Sequence, residues 1–312
     1  VIGIDVGGAN LKLVTAKGVF LHYCPLWEES PLAGILKTYA THGEDAAVVM
    51  SGELADCFTA KREGIRFIVD AVHDAFPGAR FYGTDASFHD NAVPELAAAN
   101  WLVSADYLME RCRGRLLIDF GSTTTDIIPL LDLARLRGMT DLSRLRNGCL
   151  VYTGRLRTTV PALIHTAVIG DIPTPVCPEY FACSADAHLV LGHLMEDEYT
   201  TDSPDRKGKD YASCLRRLSR VVCADLEEIG EEGAIAVAGA FWQAQRSLIG
   251  RSIQQVRDRT GAGELVCAGI GGPLLSRLLG GYDLRQDFGC AADALPAFAV
   301  REVALRDPGS WR

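Results

Sequence analysis

Short apolar runs punctuated by glycine open the chain. Residues 1–6 are apolar apart from Gly3 and Asp5, Gly7-Gly8 follow, and Leu11-Lys12-Leu13-Val14 resumes an apolar pattern. That pattern predicts a strand, a tight turn and a second strand. It is not strand, glycine loop, helix, so it is neither a dinucleotide fingerprint nor a Walker A loop. Residues 46–50 form a further buried strand that ends at Ser51-Gly52-Glu53. Over residues 63–76, Ile65, Ile68, Val72 and Phe76 share one helical face, and Pro77-Gly78 stops the helix. A short strand over 80–83 and a helix over 94–111 complete the first third.

The opening pattern then returns. Leu116-Leu117-Ile118-Asp119-Phe120-Gly121 repeats residues 2–7, Ser122-Thr123-Thr124 repeats residues 8–10, and Thr125-Asp126-Ile127-Ile128 repeats residues 11–14, at a constant offset. One long repeat signals a duplicated domain, not a solenoid. After Leu150 the pattern is mostly helical, with candidates over 161–168, 184–195, 211–229 and 233–260. Residues 196–210 are polar and read as a mobile surface loop. Residues 264–268 predict a strand running into Gly269-Ile270-Gly271-Gly272, and Pro273 starts a short helix. A last strand is expected over 282–288 and a last helix over 291–305. The repeat sets the expected domains as 1–113 and 114–289, the helical insertion lying in the second. The segment 290–312 is expected to be a helix returning to the first lobe. Val1 already lies inside a strand pattern, which suggests that residues precede it.

Composition narrows the classes. Against 40 acidic residues stand 31 basic ones, a formal net charge of −9. Such a chain lacks the positive surface that non-specific nucleic-acid binding needs. No apolar run reaches the roughly 18–20 residues of a membrane span, and no leader pattern suggests export. The 10 cysteines are scattered without a C-x-x-C pair, so neither a zinc knuckle nor a dithiol redox site is indicated. They read as reduced thiols of a cytoplasmic protein. His188 and His193 are five apart on an expected helix, which puts them on different faces and argues against a metal pair.

The duplicated hairpin is the candidate chemistry. Glycine turns bare backbone N–H groups to phosphate oxygens, and an Asp at the strand end can hold Mg²⁺ directly or through water. Two such turns facing each other across a cleft would clamp a di- or triphosphate and its metal. The phosphate candidates are Gly7, Gly8, Asn10, Gly121, Ser122, Thr123 and Thr124, with Gly271 and Gly272 from the third turn. Asp5 and Asp119 are the candidate Mg²⁺ ligands. Taken singly, Asp-x-Gly is an ordinary turn and a threonine run is ordinary strand filler; the constant offset lifts the pair above that. Lys12 either reaches a phosphate or other substrate oxygen or snorkels to solvent. Its repeat counterpart is Asp126, of opposite sign, which either pairs with it or helps hold metal. Glu53 is either a base at a strand end or a helix-start carboxylate. Arg157 and Thr158 are candidate substrate contacts.

Asp5-Val6-Gly7-Gly8, residues 119–124 and residues 268–272 resemble the two phosphate motifs and the adenosine motif of the actin-like ATPase fold. That resemblance implies an α/β protein of two ribonuclease-H-like lobes around a phosphate-binding cleft. The sequence is more closely similar to the hydantoinase/oxoprolinase branch, and within it to tetrahydromethanopterin-linked one-carbon transfer pathway proteins. Residues 3–12, 51–56, 61–64, 97–101, 119–129, 150–154 and 222–225 carry that likeness. It implies a transferase of methanofuran or methylofuran biosynthesis, which condenses a glutamyl-tyramine phenol with an aminomethylfuranyl-methyl diphosphate and releases diphosphate. The implied partners are those small molecules, with no nucleic acid and no membrane; a homo-oligomer is allowed. Mg²⁺ is the implied cofactor. ATP is a second candidate, not favoured. Two other readings stay open: an ATP-dependent hydrolase or kinase of the same superfamily, and a non-catalytic, nucleotide-gated partner of one-carbon enzymes. The Ser122-Thr123-Thr124-Thr125 run departs from a plain glycine turn and weighs against a sugar kinase.

Overall fold

The computed structural model describes residues 1–28, 30–40 and 44–306. The first apolar run becomes β1 (Ile2–Val6), buried along its whole length, and the glycine turn returns it as β2 (Asn10–Thr15). β3 (Gly18–Tyr23), β4 (Ala46–Met50), β5 (Arg80–Tyr82) and β6 (Phe88–His89) follow. They join in the order β3-β2-β1-β4-β5-β6. β2 runs antiparallel to β1 and β3, whereas β4 is parallel to β1 and β5 to β4. This is the ribonuclease-H-like arrangement. Strands covered on both faces read as continuous apolar runs, which is why Ala46-Ala47-Val48-Val49-Met50 shows no alternation.

Helices α1 (Leu32–Tyr39) and α2 (Lys61–Ala75) bury Leu32, Leu36, Ile65, Ile68 and Val72 in one core with Ile4, Leu13 and Val48. Helix α3 (Asn100–Met109) joins the other core, with Ala47 and Val49. It is shorter than the expected 94–111. A 3-10 turn occupies Pro94–Leu96, and Ala98 takes a left-handed φ of 49°, which a continuing helix cannot contain.

The second sheet is built from β7 (Leu116–Phe120), β8 (Thr125–Pro129) and β9 (Leu150–Val151) with two later strands. Helix α4 (Asp141–Arg146) stands between β8 and β9, capped by the Thr140 hydroxyl on the Ser143 N–H. Strands β10 (Thr166–Ile169) and β11 (Ile172–Pro175) form a separate ribbon. The helix expected over 161–168 is therefore replaced by a 3-10 turn (Val160–Ala162) and a strand. The cause is the Gly170-Asp171 turn, whose φ values of 53° and 63° suit a two-residue hairpin.

Helices α5 (Ser184–Val190), α6 (Tyr211–Arg220) and α7 (Leu226–Thr260) follow, the last broken at Gly230. β12 (Leu265–Ala268), α8 (Gly272–Leu279), β13 (Tyr282–Asp283), α9 (Arg285–Phe288) and α10 (Leu295–Arg306) end the described chain. The expected strand over 282–288 is thus two residues of strand and one helical turn. The second sheet runs β13-β12-β7-β8-β9. Written backwards, that matches the first sheet from β3 to β5, with no counterpart of β6, so the duplication read from Asp5 and Asp119 extends over five strands of each sheet.

The chain groups into two units. One holds Val1–Ile118, Ile128–Asn147 and the chain from Thr260 onward; the other holds Asp119–Ile127 and Gly148–Arg259. Within the first unit, α10 packs on β1, β4 and α3. The approach is so close that a side chain at Gly3 would collide with the Ala297 carbonyl. Within the second unit, the stretch 196–210 is not a free loop: Tyr199, Thr201 and Ser203 are buried, and Asp205 lies 3.0 Å from the guanidinium of buried Arg217. Among the described residues, no helix is long and apolar enough to cross a membrane.

Candidate functional site

In open α/β sheets, chemistry gathers at the carboxyl ends of the parallel strands. In the first unit three glycine turns stand at such ends. At the end of β1, the Gly7 N–H donates to the Asn10 carbonyl at 2.9 Å, closing the turn. The Leu26 N–H donates to the Gly8 carbonyl at 2.9 Å, and the Cys24 N–H to that of Ala9 at the same distance. At the end of β4, Gly52 lies against this turn: a Cβ there would sit 2.9 Å from the Gly7 carbonyl carbon and 2.6 Å from Leu26 Cδ1. A Cβ on Gly8 would meet nothing closer than Gly52 Cα, at 4.0 Å. At the end of β12, Gly269 takes a φ of 77°, Gly271 caps α8 and Gly272 begins it, so backbone N–H groups are presented at a helix start.

The turn bond sets the register that places Asp5 directly opposite Lys12 across β1 and β2. Lys12 Nζ lies 3.3 Å from Asp5 Oδ2, an ion pair whose carboxylate is buried and whose ammonium is partly exposed. Asp5 Oδ1 is buried with no hydrogen-bond partner among the described residues. Burial pushes the Asp5 carboxyl above the ordinary carboxylate range, and Lys12 pulls it back.

Glu53 repeats the arrangement past the end of β4. Its Oε1 lies 3.4 Å from Lys61 Nζ, while its Oε2 is buried and without a partner. Burial pushes this carboxyl up, Lys61 opposes the shift, and Asp141 adds to it. Glu53 is not itself a residue of α2, but its backbone rests on the first turn of that helix, where any side chain at Gly64 would collide with it.

In the second unit the same turn bond recurs, Gly121 N–H to Thr124 carbonyl at 2.9 Å. By the same geometry Asp119 stands opposite Asp126, so the position of Lys12 carries a carboxylate here. The segment after β9 forms a wall against this turn. Arg155 N–H donates to the Gly121 carbonyl, and the N–H groups of Leu156 and Arg157 both donate to that of Ser122, at 2.9–3.1 Å. A Cβ on Gly154 would lie 2.5 Å from the backbone of Ser122 and Thr123. The Thr158 hydroxyl is 2.9 Å from that of Thr153 and accepts from the Gly154 N–H, so it braces the wall. Arg157 is fixed through its backbone at the edge of the turn.

Behind the wall lies a buried polar chain that the sequence did not disclose. Gln245 Nε2 donates to Thr153 Oγ1 at 2.8 Å and to the Gly154 carbonyl at 2.9 Å. Its Oε1 must then accept, so His188 Nε2, 2.9 Å away, carries the proton. His188 is neutral: burial, then His193 and Arg155, push it down to about 3. The two histidine rings do meet, Nδ1 to Nδ1 at 3.3 Å, against the helical-spacing argument. Helix α5 ends before His193, and Gly192, at a φ of 69°, turns the chain back. Asp186, also without a foreseeable partner, is fully buried on Arg217 at 2.7 Å.

All ten cysteines are free thiols. Among the described residues no group of three His, Cys, Asp or Glu side chains is gathered that could hold a metal ion. Mg²⁺ in phosphate sites takes one or two carboxylates and completes its shell with phosphate oxygens and water. The orphaned Oδ1 of Asp5 fits one such ligand. Gly52, Gly154, Lys61 and Gln245 are the residues missed; only the glycines had a signal, each lying beside a strand end.

Three comparisons bear on this geometry. Residues 44–286 match the model of the hydantoinase/oxoprolinase family. The chain is similar to the (4-{4-[2-(gamma-L-glutamylamino)ethyl]phenoxymethyl}furan-2-yl)methanamine synthase of Methanocaldococcus jannaschii, 35% identical over 97% of each chain. It is similar to the protein of the same name from Methanococcus vannielii, 36% identical over 55% of this chain and 78% of that one. Among solved structures, nucleotide-free acetone carboxylase aligns with a TM-score of 0.45 at 12% identity, covering 93% of this chain and 51% of that one.

Proposed function

The chain belongs to the hydantoinase/oxoprolinase family, and from that premise we propose that it is an alkyl transferase forming an aryl ether of furan. The reaction joins the phenol oxygen of a (glutamyl)tyramine to the methylene carbon of an aminomethylfuranyl-methyl diphosphate. The phenol O–H and the carbon–diphosphate bonds break, the carbon–oxygen ether bond forms, and diphosphate leaves with its electron pair. The observation that carries this reading is the 35% identity along 97% of both chains to a synthase whose name describes that phenoxymethylfuran. Such an enzyme serves the biosynthesis of a methanofuran-type one-carbon cofactor.

The residues suit the task. A departing diphosphate needs its growing charge met, and the backbone of the Gly7-Gly8 turn, Asn10 and the Lys12 ammonium are the candidates to meet it. Mg²⁺, when bound, would neutralise charge on the diphosphate. Asp5 would hold it through Oδ1; Asp119 is the corresponding candidate ligand within the second unit. Gly271 and Gly272, and in the second unit Gly121, Ser122, Thr123 and Thr124, are further phosphate-binding candidates, with Asp126 beside the latter. Arg157 is the candidate for the glutamyl carboxylate. Glu53 is the candidate base: a buried carboxylate with a raised proton affinity suits removal of a phenol proton, whose ordinary pKa is about 10. Ten free thiols fit a reducing compartment, and we place the enzyme in the cytoplasm.

The test is incubation with Mg²⁺, a tyramine-type phenol and the furan diphosphate, with diphosphate release followed with and without ATP. Release that requires the phenol and not ATP is expected. ATP hydrolysis without release would move the assignment to the ATPase chemistry of the superfamily, and neither reaction would favour a non-catalytic partner.

A further inference from the structure

On the reading above, a phenol must lose its proton as its oxygen bonds to carbon. The first unit carries two buried carboxylates at neighbouring strand ends, and each has one oxygen on a lysine and the other without a partner. Their settings differ. Asp5 sits within β1, across from Lys12 and beside the Gly7-Gly8 turn, where a diphosphate is expected. Glu53 lies beyond β4, and its backbone is held by the Gly52 approach to Gly7 on one side and by the first turn of α2 at Gly64 on the other. Its side chain is tied at Oε1 to Lys61, the first residue of α2, whose ammonium is partly exposed. Backbone and one oxygen are fixed; only Oε2 is uncommitted.

We propose that Lys61 is a positioning residue, which keeps Glu53 ionised and turned so that Oε2 accepts the phenol proton, making the Glu53–Lys61 pair the phenol-activating subsite. The proton passes from the phenol O–H to Oε2 while the phenol oxygen bonds to the methylene carbon, and Glu53 later returns it to solvent. The charged groups facing Glu53 are Lys61 from α2 and Asp141 from α4; Asp141 is itself paired with Arg144 at 2.8 Å. Burial and Asp141 both favour the protonated carboxyl; Lys61 is the largest influence against them, joined by a hydrogen bond from Glu53's own backbone N–H. Removing Lys61 shifts the balance toward the protonated carboxyl, which cannot accept the phenol proton.

The proposal rests on the ether-forming reaction, and its test separates the two. The pH dependence of kcat and KM is measured for the wild-type protein, Lys61→Met, Lys61→Gln and Lys61→Arg, with a tyramine-type phenol and with a ring-fluorinated, more acidic one. In Lys61→Met and Lys61→Gln the acid limb of kcat/KM is expected to move up by about 1 pH unit or more. The rate at pH 7 with the ordinary phenol should fall about 10- to 100-fold, with KM for the diphosphate little changed. The fluorinated phenol should recover most of the loss, and Lys61→Arg should keep the wild-type limb. An unmoved limb and an unchanged ratio between the two phenols would overturn the role of Lys61. If the wild-type protein releases no diphosphate, the reaction itself is wrong. Infrared titration of the Glu53 carboxyl, identified by its loss in Glu53→Gln, still decides: the same midpoint with and without Lys61 would end the proposal.

Discussion

The two glycine hairpins are alike in backbone and unlike in charge. Each closes with one N–H to carbonyl bond of 2.9 Å, from Gly7 to Asn10 and from Gly121 to Thr124, and each leads into a sheet with the same order over five strands. Opposite the strand-end aspartate, the first hairpin places Lys12 and the second places Asp126. What rests on the turns also differs. Gly52 touches the first and leaves Gly8 open, whereas the wall from Thr153 to Thr158 covers the second through Gly154. Duplication has kept the part fixed by hydrogen-bond geometry and let the side chains diverge. The first hairpin became a charge-balanced pair, and the second a scaffold anchored from behind by Gln245.

Substitutions can break or sharpen this contrast. The largest effect is expected from Asp5→Asn, which should cut diphosphate release by about 10²- to 10⁴-fold while the protein stays folded. Asp119→Asn measured beside it shows how much of the charge chemistry the second hairpin retains, and near-wild-type kinetics in Asp5→Asn would remove Asp5 from the site. Next in size is Lys12→Ala, which strands the Asp5 carboxylate in the interior and should cost up to about 3 kcal/mol at pH 8. The sign follows from the raised carboxyl. The unfolded chain releases this proton near about pH 4 and the folded chain only higher, so the penalty grows as pH rises between the two values. Denaturant titrations should therefore show a smaller loss at pH 5 than at pH 8, and adding Asp5→Asn should restore part of it.

Gly154→Ala should cost about 1–3 kcal/mol, because its Cβ would enter the backbone of the second turn; an unchanged melting temperature would mean that the wall is looser than its distances. Gly8→Ala is the smallest perturbation. With 4.0 Å of room, stability should change by less than about 0.5 kcal/mol, while KM for the diphosphate rises because the methyl group obstructs approach to the backbone. A flat KM would take Gly8 out of phosphate binding.

Much of this could be read in advance where it depended on local pattern. The two Asp-Gly turns, the apolar strand at Ala46 and the amphipathic face of Ile65, Ile68 and Val72 are written in neighbouring residues, and the structure has them as strands and a helix. The misreadings have two causes, distance along the chain and an overlooked local turn. Nothing local says which residue stands across from Lys12; the Gly7–Asn10 bond decides that it is Asp5. The polar stretch 196–210 read as mobile because composition cannot show that Asp205 meets Arg217 or that Tyr199 reaches Asp186. Thr166, Ala167 and Val168 fall within the helix expected over 161–168, but the neighbouring Gly170-Asp171 hairpin turn makes them strand.

The place of α10 has a consequence for how the molecule is made. The core between β4 and α3 draws on Ala47 and Leu102 but also on Leu295, Ala299 and Ala304 from the chain's last described helix. A ribosome releases residues in order, so the first sheet is synthesised well before α10 and lacks its cover until residues 295–306 have emerged. The second unit, which ends at Arg259, is fully synthesised sooner. A sheet made before the second unit thus has part of its folding completed after it, and in that interval one apolar face of β1 and β4 depends on something other than α10 to keep it from sticking elsewhere.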